Sequence, residues 1–188
     1  MKKITKLFII AAMFSSLSLF NGCDQLENLP LNIPIEKEFT ITSSQSSASE
    51  SATFCLNQYK EWNDNKDKIQ SVKFLSAAYW TIDFAPDDLK ANIGASVKDK
   101  NGITLFSFDL QNVSPKDYMG NNGFKIELSK QEIDYFNDYL NNLKEDPTCS
   151  TPSFTAEYHV SNVQWSGSAT YTLHGKVEIV LDTEVTAD

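Results

Sequence analysis

The residues of this chain best suited to metal chemistry are its two histidines, His159 and His174. Each falls on the polar side of a strand that the alternating sequence predicts. If the chain between these strands turns back as a hairpin, His174 lies opposite Glu157 or His159. Two imidazoles and a carboxylate would then form a set that suits zinc. The alternative is that both histidines lie on a solvated face. Because the spacing contains no dense ligand motif, we predict no metal and keep both as weak candidates.

Two short segments rich in Asp and Asn offer oxygen ligands instead. Asp64 and Asp67 lie in one of them, and residues 83–88 contain three more aspartates. Oxygen-rich loops at the end of a β-sandwich bind Ca²⁺, but an EF-hand loop is excluded because Lys68 stands where its glycine is required. The alternative is that these are solvated turn residues. Ca²⁺ is therefore the one cofactor that the sequence leaves open, and none is predicted.

Motifs for enzyme chemistry are missing from the sequence. It contains no G-x-S-x-G nucleophile elbow and no glycine-rich phosphate loop, and only 7 of its residues are glycine. No pair of carboxylates is singled out for glycoside hydrolysis, since such a pair is defined in space. An enzyme would need a pocket that joins His159 or His174 to a carboxylate. We therefore expect that the protein is not an enzyme.

Four aromatic residues are candidates for a stacking surface that binds a ligand. They are Tyr79, Tyr118, Trp165 and Tyr171, and Trp165 is the strongest because it lies among Ser and Gly in the segment QWSG. Exposed aromatic rings bind sugars in carbohydrate-binding sandwiches. The alternative for each is packing beneath a loop.

The alternation of apolar and polar residues predicts seven or so antiparallel strands. One face of a long strand carries Val72, Phe74, Ser76, Ala78, Trp80, Ile82 and Phe84. Leu75, Ala77 and Tyr79 make its other face partly apolar, which indicates a central strand or a bend. A capping box of Ser129 and Glu132 predicts a helix near residues 130–144. The serine-rich segment 43–53 is expected to be a flexible loop. The pattern indicates a mainly β fold, an antiparallel β-sandwich of Ig-like or C2-like architecture with one α-helical crossover.

The first 23 residues have the layout of a bacterial export signal. Three lysines precede an apolar stretch at residues 7–20, which is too short for a membrane span of ~20 residues. The sequence LFNGC at the end of this stretch, residues 19–23, resembles the lipobox of bacterial lipoproteins. The alternatives are an ordinary secretory signal with an incidental cysteine and an uncleaved membrane anchor.

The lipoprotein resemblance implies a division of the chain and an address. Residues 1–22 would be removed as a signal peptide, and the Cys23 thiol would carry a diacylglycerol. Residues 23–34, with Pro30 and Pro34, would form a tether, and residues 35–188 a single β-sandwich domain. The implied location is the bacterial cell envelope, anchored to the outer membrane and facing the periplasm or the cell surface. Asp24 fits the sorting rules of more than one bacterial lineage.

Cys55 and Cys149 remain once Cys23 is lipidated, and an exported protein with two further thiols favours a disulfide between them. The alternative is two buried free thiols. The net charge of −9 argues against nucleic acid as a partner.

The sequence therefore predicts a membrane-anchored envelope lipoprotein with a non-catalytic interaction or structural domain. Its partners would be the membrane, through the lipid on Cys23, and an envelope protein or polysaccharide. The alternative function is a lipoprotein that binds a carbohydrate or another small ligand through loop aromatics.

Overall fold

The computed structural model describes residues 28–145 and 154–186. They form eight strands, and the predicted β-sandwich is confirmed. The strands are β1 (Asn28–Ser43), β2 (Ala48–Phe54), β3 (Ile69–Ala85), β4 (Lys90–Asp99), β5 (Thr104–Val113), β6 (Phe124–Ile126), β7 (Phe154–Gln164) and β8 (Tyr171–Thr186).

The strands form two four-stranded antiparallel sheets. The order in the first sheet is β1-β8-β3-β6, and the order in the second is β2-β7-β4-β5. This interleaved order, in which strands that follow each other from β1 to β4 alternate between sheets, is that of a jelly roll. An immunoglobulin sandwich groups its strands differently, so the Ig-like or C2-like comparison made from the sequence holds for the layers and not for the strand order.

Strict alternation along β7 and β8 builds the core between the sheets. Tyr171, Leu173, Val177 and Leu181 are at most 3% exposed, and their neighbours in the sequence face outward. At the centre of the core the hydroxyls of Tyr79 and Tyr158 lie 2.9 Å apart in a hydrogen bond. Their burial raises the pKa of both phenols. The two sheets are thus joined by a polar contact inside an apolar core.

Within residues 28–145 and 154–186, two α-helices and two short 3-10 helices accompany the sheets. Helix α1 (Lys60–Asn65) follows the 3-10 helix Leu56–Gln58, and α2 (Lys130–Glu145) begins at the predicted capping box. The backbone N–H of Glu132 donates to Ser129 Oγ at 3.3 Å, and that of Ser129 donates to Glu132 Oε2 at 2.7 Å. The second 3-10 helix is Pro115–Tyr118. Neither α-helix in the described residues is long and apolar enough to cross a bilayer.

The predicted core face of β3 is wrong between Ser76 and Ile82, whereas Phe74 and Phe84 pack against the core as predicted. Register shifts between Phe74 and Ser76, and between Thr81 and Asp83, add extra residues to the strand. Each extra residue moves the following side chains to the opposite face. As a result Ala77, Tyr79 and Thr81 face the core and Ile82 is 37% exposed.

Two segments expected to be irregular are strands. The predicted tether extends to residue 34, yet β1 begins at Asn28, and its two prolines are tolerated because β1 is an edge strand. The predicted serine-rich loop contains β2, whose register with β7 pairs Ala48 with Val160 and Phe54 with Phe154. Tertiary pairing to a long apolar neighbour outweighs the low hydrophobicity of this segment.

The sandwich has two ends, which lie far apart in the direction of the strands. At the near end Asn28 pairs with Thr186, and at the far end Ser43 pairs with Tyr171. The 16 residues of β8 separate the two ends by about 50 Å. The segment 165–170 lies at the far end because it joins β7 to β8, and Val163 N donates there to Ser46 O at 3.1 Å.

Candidate functional site

A polar cleft opens at the far end of the second sheet, where β4 begins and β5 and β7 end. We call it the amide cleft. Its volume is about 520 Å³, within the range of roughly 300–1,000 Å³ for small-molecule sites, and it is lined by Lys90, Asn92, Gln111, Asn112, Asn162, Val163 and Gln164. Five of these seven residues carry a carboxamide.

Two β-bulges on either side of β4 shape the amide cleft. On β5, Gln111 and Asn112 together oppose Asn92, and on β7, Asn162 and Val163 together oppose Ala91. Asn112 has φ 48° and Asn162 has φ 50°, and they are the non-glycine residues with positive φ in the described part of the chain. Bulges redirect side chains and are frequent beside binding sites. The two asparagines therefore flank the same cleft from opposite strands.

Asn92 forms the floor of the cleft between the two bulges. The residue is 8% exposed. Its Oδ1 accepts a hydrogen bond from the backbone N–H of Asn112 at 2.8 Å, which fixes the orientation of the carboxamide. Its Nδ2 has no hydrogen-bond partner among the described residues. The atom is accessible to solvent, since it is not one of their buried unpartnered polar atoms. A largely buried donor is thus left available to a ligand.

The chemistry of the amide cleft is that of binding. The side chains of Gln111, Asn112, Asn162 and Gln164 make no hydrogen bond within residues 28–145 and 154–186. Carboxamides present a donor and an acceptor side by side and do not ionise near neutral pH. Lys90, at the rim, is the one charged residue of the lining. The cleft can therefore hold a polar ligand by hydrogen bonds without transferring protons.

The four aromatic candidates do not form a common surface. Tyr79 and Tyr171 are at most 1% exposed, so their proposed roles in ligand binding are wrong. For Tyr79, the β3 bulge that turns the residue inward explains the error. Tyr118 is half-buried and packs on Tyr79 and Phe124 at centroid distances of 6.2 and 6.1 Å. Trp165 is half-buried against Tyr171, with its Nε1 donating to Ser168 O at 3.0 Å.

The two histidines lie on different sheets, so the candidate set of His159, His174 and Glu157, which depended on a hairpin, does not form. β7, which holds His159, and β8, which holds His174, are not a hairpin because each pairs within its own sheet. A Cβ added at Gly94 would lie 2.5 Å from His159 Nε2, which places that ring over Gly94. His174 Nε2 lies 3.2 Å from Glu38 Oε2.

The acidic candidates for a metal also lie apart from other ligands. Asp64 is on α1 and forms an ion pair with Lys60, one turn earlier. Asp67 is exposed in the turn after α1. No group of three His, Cys, Asp or Glu residues within residues 28–145 and 154–186 is arranged to hold a metal ion.

A second polar cluster lies on the outer face of the first sheet. Lys176 Nζ is 2.8 Å from Glu36 Oε1, 3.9 Å from Glu178 Oε2 and 5.1 Å from the centroid of Trp80. Hydrogen bonds from Lys176 and Glu178 hold the pKa of Glu36 below its usual value. Burial and the hydrogen bond shared with Glu36 raise the pKa of Glu178.

This cluster beside Trp80 borders a smaller cavity of about 270 Å³. Its one ammonium group is already engaged by Glu36 and the indole ring, so the cluster acts as a cross-strand charge network. Apart from Asn92 Oδ1, the side-chain amides of the amide cleft make no hydrogen bond within residues 28–145 and 154–186. The amide cleft is therefore the better candidate site.

The cysteines are only partly within the described residues. Cys55 is 7% exposed at the start of the 3-10 helix and belongs to a disulfide. Cys149 and Cys23 lie outside the described residues, so the pairing of Cys55 with Cys149 and the lipidation of Cys23 stay predictions.

The sequence contains a signal for the amide cleft in two segments rich in carboxamides. These are QN at 111–112 and SNVQ at 161–164, which lie in strands at the two bulges. Repeated Asn and Gln where three strands begin or end is the available signal. It identifies a site only when the strand order brings β4, β5 and β7 together.

Comparison with known proteins adds information on fold alone. No protein-family model and no curated protein sequence matches the chain. Among solved structures, a chain of Desmodium yellow mottle tymovirus matches with a TM-score of 0.40 and 9% identity, covering 86% of this chain and 84% of that chain. A chain of tobacco necrosis virus matches with a TM-score of 0.37 and 7% identity, covering 84% of this chain and 98% of that chain. At these values no functional conclusion follows.

Proposed function

We propose that this protein is a lipid-anchored lipoprotein of the bacterial cell envelope whose jelly roll is a non-catalytic binding domain. The amide cleft is the observation that carries the proposal. Its unpartnered carboxamides offer hydrogen bonds to a ligand, and none of them is a nucleophile or a titrating base.

The position of the cleft supports an anchored binding domain. Four residues separate Cys23 from Asn28, where β1 begins at the near end of the sandwich. A lipid on Cys23 would therefore hold the near end within about 20 Å of the membrane surface. The amide cleft lies at the far end, about 50 Å along the strands. The anchor would thus present the cleft away from the membrane.

The proposal is tested by the distance of each end from a membrane. The full-length protein is processed in a bacterial host, extracted in detergent and reconstituted into vesicles that contain an acceptor dye. A donor fluorophore is placed at Ser166, beside the cleft, or at Thr186, at the near end. We expect efficient energy transfer from position 186 and weak transfer from position 166.

A control variant separates anchoring from orientation. The Cys23→Ala variant cannot carry the lipid, so it should not bind the vesicles. The lipid supplies the membrane affinity, and stable anchoring requires two acyl chains or more. Equal energy transfer from both positions would refute the orientation. Vesicle binding by Cys23→Ala at the wild-type level would refute the anchor.

The alternative function predicted from the sequence is sugar binding through loop aromatics. Tyr79 cannot contribute to it, because the residue is buried in the core. The ligand class of this alternative is supported by the amide cleft, as argued below.

A further inference from the structure

We propose that the amide cleft binds a neutral, hydroxyl-rich saccharide, with Asn92 Nδ2 as the central hydrogen-bond donor. The inference rests on the proposed function only in treating the jelly roll as a binding domain. It concerns the ligand class and the residues that recognise it.

The geometry of Asn92 is the first argument. Its Oδ1 is occupied by the backbone N–H of Asn112 at 2.8 Å, so its Nδ2 is held in one direction and has no partner among the described residues. This donor is not among the buried unpartnered atoms of the described residues, so it is accessible from the cleft. A ligand oxygen, such as that of a sugar hydroxyl, can accept from it in place of water.

The remaining lining narrows the ligand class. The carboxamides of Gln111, Asn112, Asn162 and Gln164 each place a donor beside an acceptor, which matches pairs of neighbouring hydroxyls that also donate and accept. The lining contains no aromatic ring, so it offers no stacking surface for a nucleobase. Val163 is its one apolar side chain, which is too little for a lipid chain.

Charge favours a neutral ligand over an acidic one. Lys90 is the one charged residue of the lining. The protein as a whole has a net charge of −9, which repels polyanions at low salt. The cleft therefore lacks the clustered cations that an acidic saccharide would need.

The two bulge asparagines bring side chains to the cleft from backbone positions that few residue types adopt. Asn112 and Asn162 have positive φ, a conformation that glycine adopts without cost and asparagine tolerates better than most other residues. Asparagine at both positions supplies a carboxamide to the cleft from a fixed backbone.

The test is saccharide binding by the full-length, detergent-extracted protein. Binding is first screened on an array of neutral and acidic oligosaccharides that includes maltohexaose, cellohexaose, chitohexaose and hexagalacturonate. The affinity for the best neutral compound is then measured by calorimetric titration. We expect binding of at least one neutral saccharide with a Kd at or below about 1 mM. Asn92→Asp keeps the acceptor for Asn112 N–H and removes the donor, and it should weaken binding by about tenfold or more.

A second variant separates recognition from folding. Asn112→Gly with Asn162→Gly keeps both bulges and removes two carboxamides, so binding should fall by about tenfold or more while Tm stays equal or rises. Asn121→Asp, an exposed asparagine outside the cleft, matches the charge change of Asn92→Asp and should bind as the wild type does.

Three results would overturn the inference: no neutral saccharide on the array binds, only acidic ones bind, or the double glycine variant binds unchanged. None of them alters the vesicle measurement, so failure of the ligand class is distinguishable from failure of the anchored domain. Conversely, loss of the wild type from vesicles would refute the anchor and leave this inference standing.

Discussion

At the scale of single residues, Asp99 holds the β4–β5 turn together through its side chain. Its Oδ1 accepts from the backbone N–H groups of Asn101 and Ile103 at 2.8 Å, and its Oδ2 accepts from the Tyr135 hydroxyl at 3.0 Å. Burial acts to raise the pKa of Asp99, but these hydrogen bonds outweigh it and hold the pKa below its usual value. The carboxylate thus ties the hairpin turn to α2.

The lowered pKa of Asp99 predicts a pH-dependent contribution to stability. A carboxyl group whose pKa is lower in the folded state stabilises the fold above its unfolded pKa of about 3.9, and this stabilisation is lost as the pH falls through the folded pKa. We expect Asp99→Asn to lower the free energy of unfolding by about 1–3 kcal/mol at neutral pH. The difference from wild type should shrink steadily below about pH 4.

Urea denaturation across this pH range measures the Asp99 effect. Asp109→Asn removes an exposed carboxylate from the neighbouring β5 and is the matched control, for which little change is expected. A difference between wild type and Asp99→Asn that is the same at pH 3 and pH 7 would show that the charge of Asp99 does not stabilise the fold.

At the scale of the secondary-structure elements, some helices, strands and turns were predictable from the sequence because one local rule determines each of them. The capping box at Ser129 and Glu132 and the alternation along β8 required no knowledge of the rest of the fold. The β4–β5 turn was equally clear, with Gly102 at φ 81° in the turn that follows Asp99.

Other elements depend on pairing partners that the sequence does not reveal. The serine-rich β2 becomes a strand because β7 pairs with it, and the bulges of β3 reverse the faces on which Tyr79 and Ile82 lie. The amide cleft depends on the bulges of both β5 and β7. His159 and His174 separate because β7 and β8, neighbours in sequence, belong to different sheets.

The elements around Cys55 yield a prediction on the disulfide. Cys55 begins the 3-10 helix Leu56–Gln58, and a bond to Cys149 would close a loop of about 94 residues, for which the chain-entropy model gives ~4–5 kcal/mol. We expect Cys149→Ala to lower Tm strongly and dithiothreitol to lower the Tm of wild type by a similar amount. Dithiothreitol should have no further effect on Cys149→Ala. If it lowers the Tm of that variant as well, Cys55 has another partner.

At the scale of the whole molecule, the described chain enters β1 at one end of the sandwich and the amide cleft opens at the other end. β1 and β8 run the full length of the sandwich side by side, from Asn28 opposite Thr186 to Ser43 opposite Tyr171. The proposed lipid on Cys23 would leave the bulged strands and the amide cleft at the opposite end. A ligand in the cleft would then be held at a distance from the membrane.

The mass of the first peptide of the mature protein tests the central claim most directly, because the proposed anchoring depends on the modification of one residue, Cys23. The protein is isolated from bacterial membranes and its amino-terminal peptide is measured by mass spectrometry. The account predicts that the peptide starts at Cys23 and carries the added mass of a diacylglycerol. An amino terminus elsewhere, or an unmodified Cys23, would contradict it.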